Sequence, residues 1–475
     1  MSKNKKNITP QTESFSKWYQ DVVREADLAE SSEVRGSGIV KPYGFKIWKL
    51  IKKQLESQIE ATGAEDVYFP LLIPIANLEI EKKHIEGFSP ELAVVTHGGG
   101  EELTNKLAIR PTSETAMYTS YAKWIQGYSD LPLRLNQWNN VMRWEKRPRA
   151  FLRWSEFLWQ EGHSAFATKK EAIDEVWQMI GEYEKLYKYL AIPTFIGTKS
   201  EAEKFAGAEM TVSAEVMARD GKAIQAATSH YLGTNFAKAF GIKYSDKDGK
   251  SQFVHQNSWG LSWRSVGAVI MAHGDDNGLR LPPNVAPIQV VIVPIVKDNN
   301  AEEILSYCHK LDVQLKAFRT KIDERTDLNP GFKYNYWEVK GVPVRLEVGS
   351  KEVKTNEVSV FRRDTAERQN VATSEISSTV KKTLADVQDN LYQQAQEFAS
   401  SHIHRIEDVS EIKEQVGFFE ASWCESEESE KMLKEKYSIT SRVLLTKDKE
   451  SKPKNKQCFI TKKEAKHDWL FAQSY

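Results

Sequence analysis

The sequence predicts a multidomain protein that mixes helices and strands and has a small α/β domain after residue 281. Its 475 residues are too many for one hydrophobic core and indicate two to four domains. Three prolines in LPPNVAP (281–287) form a stiff connector that marks a domain boundary. Beyond this connector, apolar strands alternate with helices, which is typical of an α/β domain with a mostly parallel or mixed sheet.

Upstream of the connector, three-and-four spacing of apolar residues predicts helices over residues 15–30, 43–62 and 169–189. Short apolar or alternating runs predict strands over residues 67–74, 106–110, 133–144, 157–163 and 266–273. The segment THGGGEE (96–102) lacks the Gly-Lys-Ser/Thr ending of a phosphate-binding loop, so we interpret it as a flexible turn.

Downstream of the connector, the same patterns predict strands over residues 288–296, 342–349 and 357–363 and helices over residues 301–318 and 377–401. A charged segment then leads to the C-terminal LFAQSY.

Composition excludes several classes of protein. Lys and Arg together number 66 and balance 66 Asp and Glu, so a nucleic-acid partner would have to be met by local basic patches. Three scattered cysteines predict a reducing cytosol rather than a disulfide framework. The N-terminus lacks the apolar core of a signal peptide, and the longest apolar run is too short to span a bilayer. We therefore expect a cytoplasmic protein without a membrane segment.

The stretch RWEKRPRAFLRWSEFLWQEGHSAF (143–166) concentrates positive charge beside a second strand. Arg143 ends one predicted strand, and the loop that follows adds three more arginines. Because side chains alternate along a strand, the next four side chains on one face would be Phe157, Trp159, Glu161 and His163. An exposed polar face would explain them, but a strand–basic loop–strand hairpin also suits a nucleotide triphosphate.

This hairpin resembles motif 2 of class II aminoacyl-tRNA synthetases. Together with RPTSET (110–115), QAATSHYLG (225–233) and QNSWGLSWR (256–264), it is similar to prolyl-tRNA synthetases of the archaeal/eukaryotic type, over residues 15–475. The resemblance implies an α+β catalytic domain with an antiparallel sheet and flanking helices (15–286), which follows a flexible N-terminus (1–14). An α/β anticodon-binding domain (287–400) and a small α+β C-terminal domain (401–475) would come next.

The resemblance also implies the reaction and its partners. ATP, bound with Mg²⁺, would activate L-proline to a prolyl-adenylate, and tRNA(Pro) would then take the prolyl group, with AMP and pyrophosphate as products. A homodimer is implied, with the second helix and residues 67–74 at its interface. Arg264 follows Arg143 by only 121 positions, and motifs occupy the residues between them, so no inserted editing domain is expected.

Residues matching the family's motifs are expected to hold the two small substrates. Arg143 and Arg264 would be catalytic, with Arg143 bridging the prolyl carboxylate and the α-phosphate. The expected ATP-binding set is Arg143, Glu145, Arg153, Phe157, Gln225, Thr228, Ser262 and Arg264, with Gln225 near the Mg²⁺. The expected proline-binding set is Thr112, Glu114, Arg143, Trp159, Glu161, His163, Phe205, His230 and Ser262. Glu338, Arg345 and Lys351 match positions that would contact guanines of the anticodon.

The sequence departs from the family pattern at two sites. Trp154 and Trp263 stand where relatives have a small residue; as neighbours they would be a compensating pair, and otherwise they would narrow the pocket. Relatives often carry four zinc-binding cysteines, whereas here the two pairs are Cys424 with Ser429 and Cys458 with Thr461. A closed zinc site is therefore not expected, and the terminal tyrosine is expected to dock on the catalytic domain.

Two other functions fit less of the sequence. A relative charging threonine, histidine or glycine would share RPTSE but not FLWQEGH. A catalytically altered paralogue acting as an RNA-binding or regulatory protein would explain the two tryptophans but not the retained Arg143, Gln225 and Arg264.

Overall fold

The computed structural model describes residues 7–84, 92–296, 300–325, 327–414, 416–445 and 452–475. Residues 1–6 of the predicted flexible N-terminus lie outside this range. Ile8 and Thr9 are buried, and the backbone N–H and Oγ1 of Thr9 donate to Asp21 Oδ2 at 3.0 and 2.7 Å. Within the segment 1–14, Thr9 is therefore held by a buried carboxylate.

The first part of the chain builds the largest sheet. Its helices are α1 (Phe15–Glu25), α2 (Pro42–Glu60), α3 (Ile75–His84), α4 (Glu114–Trp124), α5 (Lys169–Tyr189), α6 (Asn235–Phe240) and α7 (Arg264–His273). Its strands are β1 (Ala29–Ser31), β2 (Gly38–Val40), β3 (Glu65–Asp66), β4 (Leu72–Pro74), β5 (Val94–Gly98), β6 (Glu101–Ile109), β7 (Leu133–Met142), β8 (Glu156–Phe166), β9 (Phe195–Thr198), β10 (Met210–Met217), β11 (Ala223–Gly233), β12 (Lys243–Ser245), β13 (Ser251–Phe253) and β14 (His255–Ser262).

Seven of these strands form one sheet in the order β3-β7-β8-β14-β11-β10-β9. Every pairing is antiparallel except β3 with β7, so the antiparallel sheet implied by the resemblance is present. Helix α5 packs against β10, β11 and β14, and buried side chains such as Val176 and Tyr183 join the core there. That core closes one face of the sheet and leaves the other face for the site described below.

The remainder of the chain forms two smaller sheets. The middle part contains β15 (Val290–Pro294), α8 (Ala301–Gln314), β16 (Thr320–Ile322), α9 (Pro330–Val339), β17 (Val344–Val348), α10 (Ser350–Thr355), β18 (Glu357–Arg362), β19 (Arg368–Ala372) and α11 (Ile376–Ser401). Its sheet is mixed, as predicted, with the order β16-β15-β17-β18-β19. The last part contains β20 (Ile403–Arg405), β21 (Phe418–Trp423), α12 (Glu427–Tyr437), β22 (Thr440–Leu444) and β23 (His467–Ala472). These four strands form a sheet of order β20-β21-β23-β22.

Two predicted strands are wrong in whole or in part. Residues 266–273 belong to helix α7, whose residues 265–273 are all buried. An apolar run buried on every side has no period that separates a strand from a helix. Within residues 67–74, only β4 is a strand, and Tyr68 is 73% exposed. No described helix combines the length and the apolar character needed to cross a membrane.

Candidate active site

A cavity of about 290 Å³ opens on the free face of the large sheet. Strands β8, β11 and β14 form its floor, and their side chains converge there because alternate residues of each strand share a face. It is lined by thirteen of the predicted residues: Thr112, Glu114, Arg143, Phe157, Trp159, Glu161, His163, Phe205, Gln225, Thr228, His230, Ser262 and Arg264.

A buried ion pair lies at the centre of this cavity. His163 Nε2 is 3.2 Å from Glu161 Oε2, and both side chains are almost fully buried. Burial opposes the charged forms, but the hydrogen bonds of Glu161 with His163, Ser113 and Asn139 hold its pKa below the usual range. Burial is likewise offset at His163, because the Glu161 hydrogen bond and the nearby Glu114 charge raise its pKa. Both shifts favour the charged forms, a carboxylate paired with an imidazolium.

A second carboxylate, Glu114, is held at the start of α4 beside Thr112, whose hydroxyl donates to it. Glu114, Glu161 and His163 are a group whose ligand atoms all lie within 4.8 Å of one another, close enough to surround a cation. Their partners are already a hydroxyl, an amide and each other, which suits an ammonium better than a closed metal site.

Arg143 stands at the end of β7, where its guanidinium is fixed by three contacts. Its Nε donates to the Pro111 carbonyl at 2.9 Å, and its Cζ lies 5.5 Å from the Phe157 ring centre and 5.3 Å from that of Trp159. Burial lowers the pKa of Arg143, while Glu114 and Glu161 act in the opposite direction. An arginine remains charged in such a site, and its terminal nitrogens can face the cavity as a planar fork.

Arg264, the first residue of α7, provides a second cation in the lining of the cavity. Its NH1 donates to the Gln225 carbonyl and its Nε to the Leu152 carbonyl, both at 3.3 Å. Its backbone N–H donates to Ser262 Oγ at 3.2 Å. The two arginines thus line one cavity, in which they could together neutralise a polyanion.

Phe205 and His230 form an apolar wall. Their ring centres are 4.8 Å apart, and Thr211 Oγ1 lies 2.9 Å from His230 Nδ1. Burial lowers the pKa of His230 to about 3, and the neighbouring charge of His163 acts in the same direction. His230 is therefore neutral and serves as a flat wall rather than as a charge.

Two predicted ATP-binding residues do not line the cavity. Glu145 lies in the hairpin loop, where its carboxylate accepts from the Arg147 backbone N–H at 2.9 Å. Arg153 is exposed in the same loop, although its charge is near enough to Arg264 to lower the pKa of that side chain, together with the larger effect of burial. Both remain on the strand–loop–strand hairpin that carries Arg143.

Sequence reasoning missed several lining residues, among them Glu203, Thr211 and Ser258. Ser258 could have been found, because it shares a strand face with Ser262. Thr211 is opposite His230 in the β10–β11 pairing, and no local pattern reveals such a partner. Glu203 lies in an irregular segment between β9 and β10.

The two unusual tryptophans lie behind the cavity rather than in it. The rings of Trp154 and Trp263 are in contact, and neither side chain lines the cavity. The structure therefore supports a compensating pair of tryptophans rather than a narrowed pocket.

The structure separates the three predicted anticodon residues onto different elements. Glu338 is half-buried on α9, and Lys351 is exposed on α10. Arg345 is buried in β17, where its Nε and NH2 donate to Glu347 at 2.9 and 2.7 Å and its Cζ lies 4.0 Å from the Phe361 ring centre. Arg345 therefore already has a carboxylate partner, so any base would meet an ion pair rather than a bare charge.

The C-terminus docks on the first part of the chain, as expected. The Ala223 N–H donates to the Gln473 carbonyl at 2.8 Å, and the Tyr475 N–H donates to the Ala223 carbonyl at 3.0 Å. The Tyr475 hydroxyl donates to Asp220, and its ring centre lies 5.6 Å from Arg149 Cζ. This places the last residue beside strand β11, which carries Gln225 and Thr228.

Comparison with known proteins identifies three matching families along the chain. The class II tRNA synthetase core domain (G, H, P, S and T) matches residues 96–273, an anticodon binding domain matches residues 289–383, and the prolyl-tRNA synthetase C-terminal family matches residues 406–475.

Whole-length relatives agree with these matches. A proline–tRNA ligase of Oceanobacillus iheyensis is 46% identical over 473 residues, covering 98% of both chains. One from Symbiobacterium thermophilum is 45% identical, covering 99% of this chain and 98% of the relative. The crystal structure of Cryptosporidium parvum prolyl-tRNA synthetase, complexed with halofuginone and AMPPNP, is similar with a TM-score of 0.93 and 40% identity. That match covers 98% of this chain and 99% of the solved one.

Proposed function

Since the chain belongs to the prolyl-tRNA synthetase family, we propose a role for each part of its cavity in the reaction of that family. The chain joins L-proline to tRNA(Pro) at the expense of ATP. The proline carboxylate attacks the α-phosphate and pyrophosphate leaves; the 3′-end of the tRNA then takes the prolyl group and AMP leaves. The observation that carries this assignment is one cavity that gathers Arg143 and Arg264 with two buried carboxylates, Glu114 and Glu161.

Arg143 is proposed to hold the proline carboxylate and the α-phosphate together. Its guanidinium is fixed by Pro111 and two aromatic rings, so little entropy is lost when an anion binds. Phosphoryl transfer of this kind depends on positioning and charge neutralisation more than on a nucleophilic side chain. Arg264 would neutralise the outer phosphates, and Phe157 would stack on the adenine.

Glu145 and Arg153 are proposed to meet ATP only from the hairpin loop, because neither lines the cavity. Thr228 and Ser262, which do line it, would contact the ribose and the junction of the two substrates. Gln225 is exposed at the same surface and has an amide oxygen, a ligand type that Mg²⁺ accepts. Bound with ATP, Mg²⁺ would neutralise phosphate charge, and Gln225 is the residue we propose beside it.

Proline is proposed to bind with its secondary ammonium at Glu114 and Thr112. Glu161 and His163 neutralise each other, which leaves Glu114 as the carboxylate available for the ligand's charge. Trp159, Phe205 and His230 would enclose the ring; the neutral state of His230 avoids repulsion of the ammonium.

The middle part of the chain is proposed to read the anticodon through Glu338, Arg345 and Lys351, with domain boundaries near residues 286 and 400.

A homodimer is also proposed. It is supported by large apolar side chains exposed around strands β4 and β5: Tyr68 at 73%, Leu72 at 42% and Val94 at 45%. The cytoplasm is the proposed location of the protein, because the free thiols of the chain suit a reducing compartment. These thiols are Cys308, Cys424 and Cys458.

ATP–pyrophosphate exchange with single amino acids tests the proposal. Exchange should depend on proline and should be absent with threonine, histidine or glycine. Strong tRNA binding without exchange for any amino acid would favour an RNA-binding paralogue instead, and exchange with threonine would move the assignment to another member of the class.

A further inference from the structure

The segment between β9 and β10, residues 199–209, forms one wall of the cavity. Glu203 and Phe205 line it from this segment. The Phe205 N–H donates to Thr211 Oγ1 at 3.0 Å, and the same hydroxyl contacts His230. The conformation of this segment therefore sets the position of the wall formed by Phe205 and His230.

The opposite side of the segment contacts the last part of the chain through Ser200. Ser200 Oγ donates to Glu430 Oε1 on α12 at 3.0 Å, and Ser441 Oγ lies 3.0 Å from Ser200 Oγ. Ser441 also donates to the same oxygen of Glu430. All three side chains are buried, so losing one partner would leave a poorly solvated polar group.

Ser200 also shapes the turn that leads to Phe205. Its Oγ accepts the Glu203 N–H at 3.2 Å, and its carbonyl accepts the Lys204 N–H at 2.9 Å. Because Ser200 donates its hydroxyl hydrogen bond to Glu430, the lone pairs of the Ser200 oxygen are left to accept from the turn. Glu203 has a further contact with α12, since its Oε1 lies 3.7 Å from Lys434 Nζ.

A buried ion cluster anchors Lys199, the residue before Ser200. Lys199 Nζ lies 2.8 Å from Glu215 Oε1, and Arg442 Nε and NH2 donate to Glu215 Oε2 at 3.1 and 2.6 Å. Strand β9 also lies against β22, where a Cβ on Gly197 would be 2.0 Å from the Leu444 carbonyl oxygen. The start of the segment is thus fixed against the last sheet. Ser200 connects this fixed start to the turn that follows.

From these contacts we infer that Glu430 is a positioning residue for proline. Its carboxylate, on a helix remote in sequence, holds Ser200 and through the turn at 200–204 sets Phe205 against the substrate ring. The inference rests on the proposed assignment of this cavity to proline. The residues proposed for ATP, Arg264 and Phe157, have no described contact with Ser200 or Glu430, so the effect should be confined to the amino acid.

Exchange kinetics with Glu430→Ala, Glu430→Gln and Ser200→Ala test this. Glu430→Ala and Ser200→Ala should each raise KM for proline about tenfold or more, because small displacements of a substrate-positioning group have large effects, with KM for ATP unchanged. Glu430→Gln should stay close to the unaltered chain, since its amide oxygen can still accept from Ser200. Glu435→Ala, an exposed position on the same helix, is the matched control. Melting temperatures identify variants that do not fold.

The outcomes separate this inference from the proposed function. An unchanged KM for proline in Ser200→Ala, or equal rises for proline and ATP in both alanine variants, would overturn the positioning role alone. If the unaltered chain showed no proline-dependent exchange, the assignment of the cavity would fail and this inference with it.

Discussion

The indole rings of Trp154 and Trp263 pack edge to face, with ring centres 5.3 Å apart and planes inclined by 69°. Phe151 completes the cluster, with its ring centre 5.7 Å from that of Trp154 and 5.8 Å from that of Trp263. Trp154 also fills the space beside Gly38, where an added Cβ would lie 1.9 Å from the indole. The two large side chains share one buried volume behind the cavity, and the backbone at Gly38 accommodates them.

Replacing either tryptophan by threonine should destabilise the chain by about 3 kcal/mol, because each change empties part of this buried volume. The loss of unfolding free energy in the double variant should be smaller than the sum of the two single losses by roughly 0.5–1.5 kcal/mol, since the aromatic contact is lost only once. Urea unfolding of the four chains measures both quantities. Strictly additive losses would show that the rings do not depend on each other.

Arg143→Lys should abolish most pyrophosphate exchange even though the positive charge is kept. A planar fork can bind a carboxylate and a phosphate together, whereas an ammonium is a point charge. Lysine also loses the Nε bond to the Pro111 carbonyl. Exchange rates and far-UV circular dichroism are the measurements. A folded variant with near-normal exchange would remove Arg143 from the reaction.

The parts of the site that could be predicted are those with a local period. Alternation along β8 correctly placed Phe157, Trp159, Glu161 and His163 on the cavity side, because a strand has a period of two wherever it pairs. Helix α5 was predicted with the bounds that it has, since one face is apolar and the other polar.

The parts that could not be predicted depend on contacts between distant residues. Thr211 reaches His230 only through strand pairing, and Ser200 meets Glu430 across 230 positions of sequence. Helix α7 is fully buried, so its sequence has no alternation of apolar and polar residues that would distinguish a helix from a strand.

Glu338→Ala should spare pyrophosphate exchange and impair tRNA charging, because the side chain lies in the part of the chain proposed to read the anticodon. The variant keeps the backbone carbonyl of residue 338, which accepts from Arg363 Nε at 3.0 Å. Charging with tRNA(Pro) and exchange without tRNA are compared, with Lys351→Ala in parallel. Equal loss of both activities would indicate a structural role for Glu338.

The Glu215 ion cluster should make stability depend on acid pH. Burial alone would raise the pKa of Glu215, but Lys199 and Arg442 lower it to about 2. A carboxylate with a depressed pKa stabilises the fold above its unfolded pKa of about 4.5 and loses that contribution as pH falls towards 2.

Glu215→Gln should therefore cost about 3–5 kcal/mol near neutral pH, where it leaves two buried cations unpaired. The difference in unfolding free energy between the two chains should shrink as pH falls from about 5 towards 2, because the carboxylate of the unfolded chain takes up a proton while that of the native chain is still ionised. Urea unfolding at a series of pH values measures it. A difference that stays constant with pH would mean that folding leaves the pKa of Glu215 unshifted, so that the cluster does not stabilise its charged form.

The last sheet should fold without zinc. A structural zinc site contributes on the order of 10 kcal/mol in small zinc-dependent peptides, so a domain without one must rely on packing. Buried apolar residues that could do so are Phe419, Trp423, Leu433, Leu444, Phe459, Trp469 and Phe471. The positions of the two missing cysteines hold hydroxyls that are already bonded: Ser429 Oγ accepts from Trp423 Nε1 at 2.7 Å, and Thr461 Oγ1 lies 3.4 Å from Cys424 Sγ.

His467 is the residue that could replace a lost cysteine as a third ligand, and its Nδ1 lies 2.6 Å from Glu425 Oε1. Elemental analysis of the purified chain should find no stoichiometric zinc, and a chelator should leave its melting temperature unchanged. Burial opposes ionisation of Cys424, but hydrogen bonds from Thr461, Ser426 and Cys458 lower its pKa to about 7, so this half-buried thiol should react with an alkylating reagent at neutral pH. Cys458 is buried and should react more slowly. One tightly held zinc per chain, with both thiols protected from alkylation, would show instead that Cys424, Cys458 and His467 form a metal site despite the two lost cysteines.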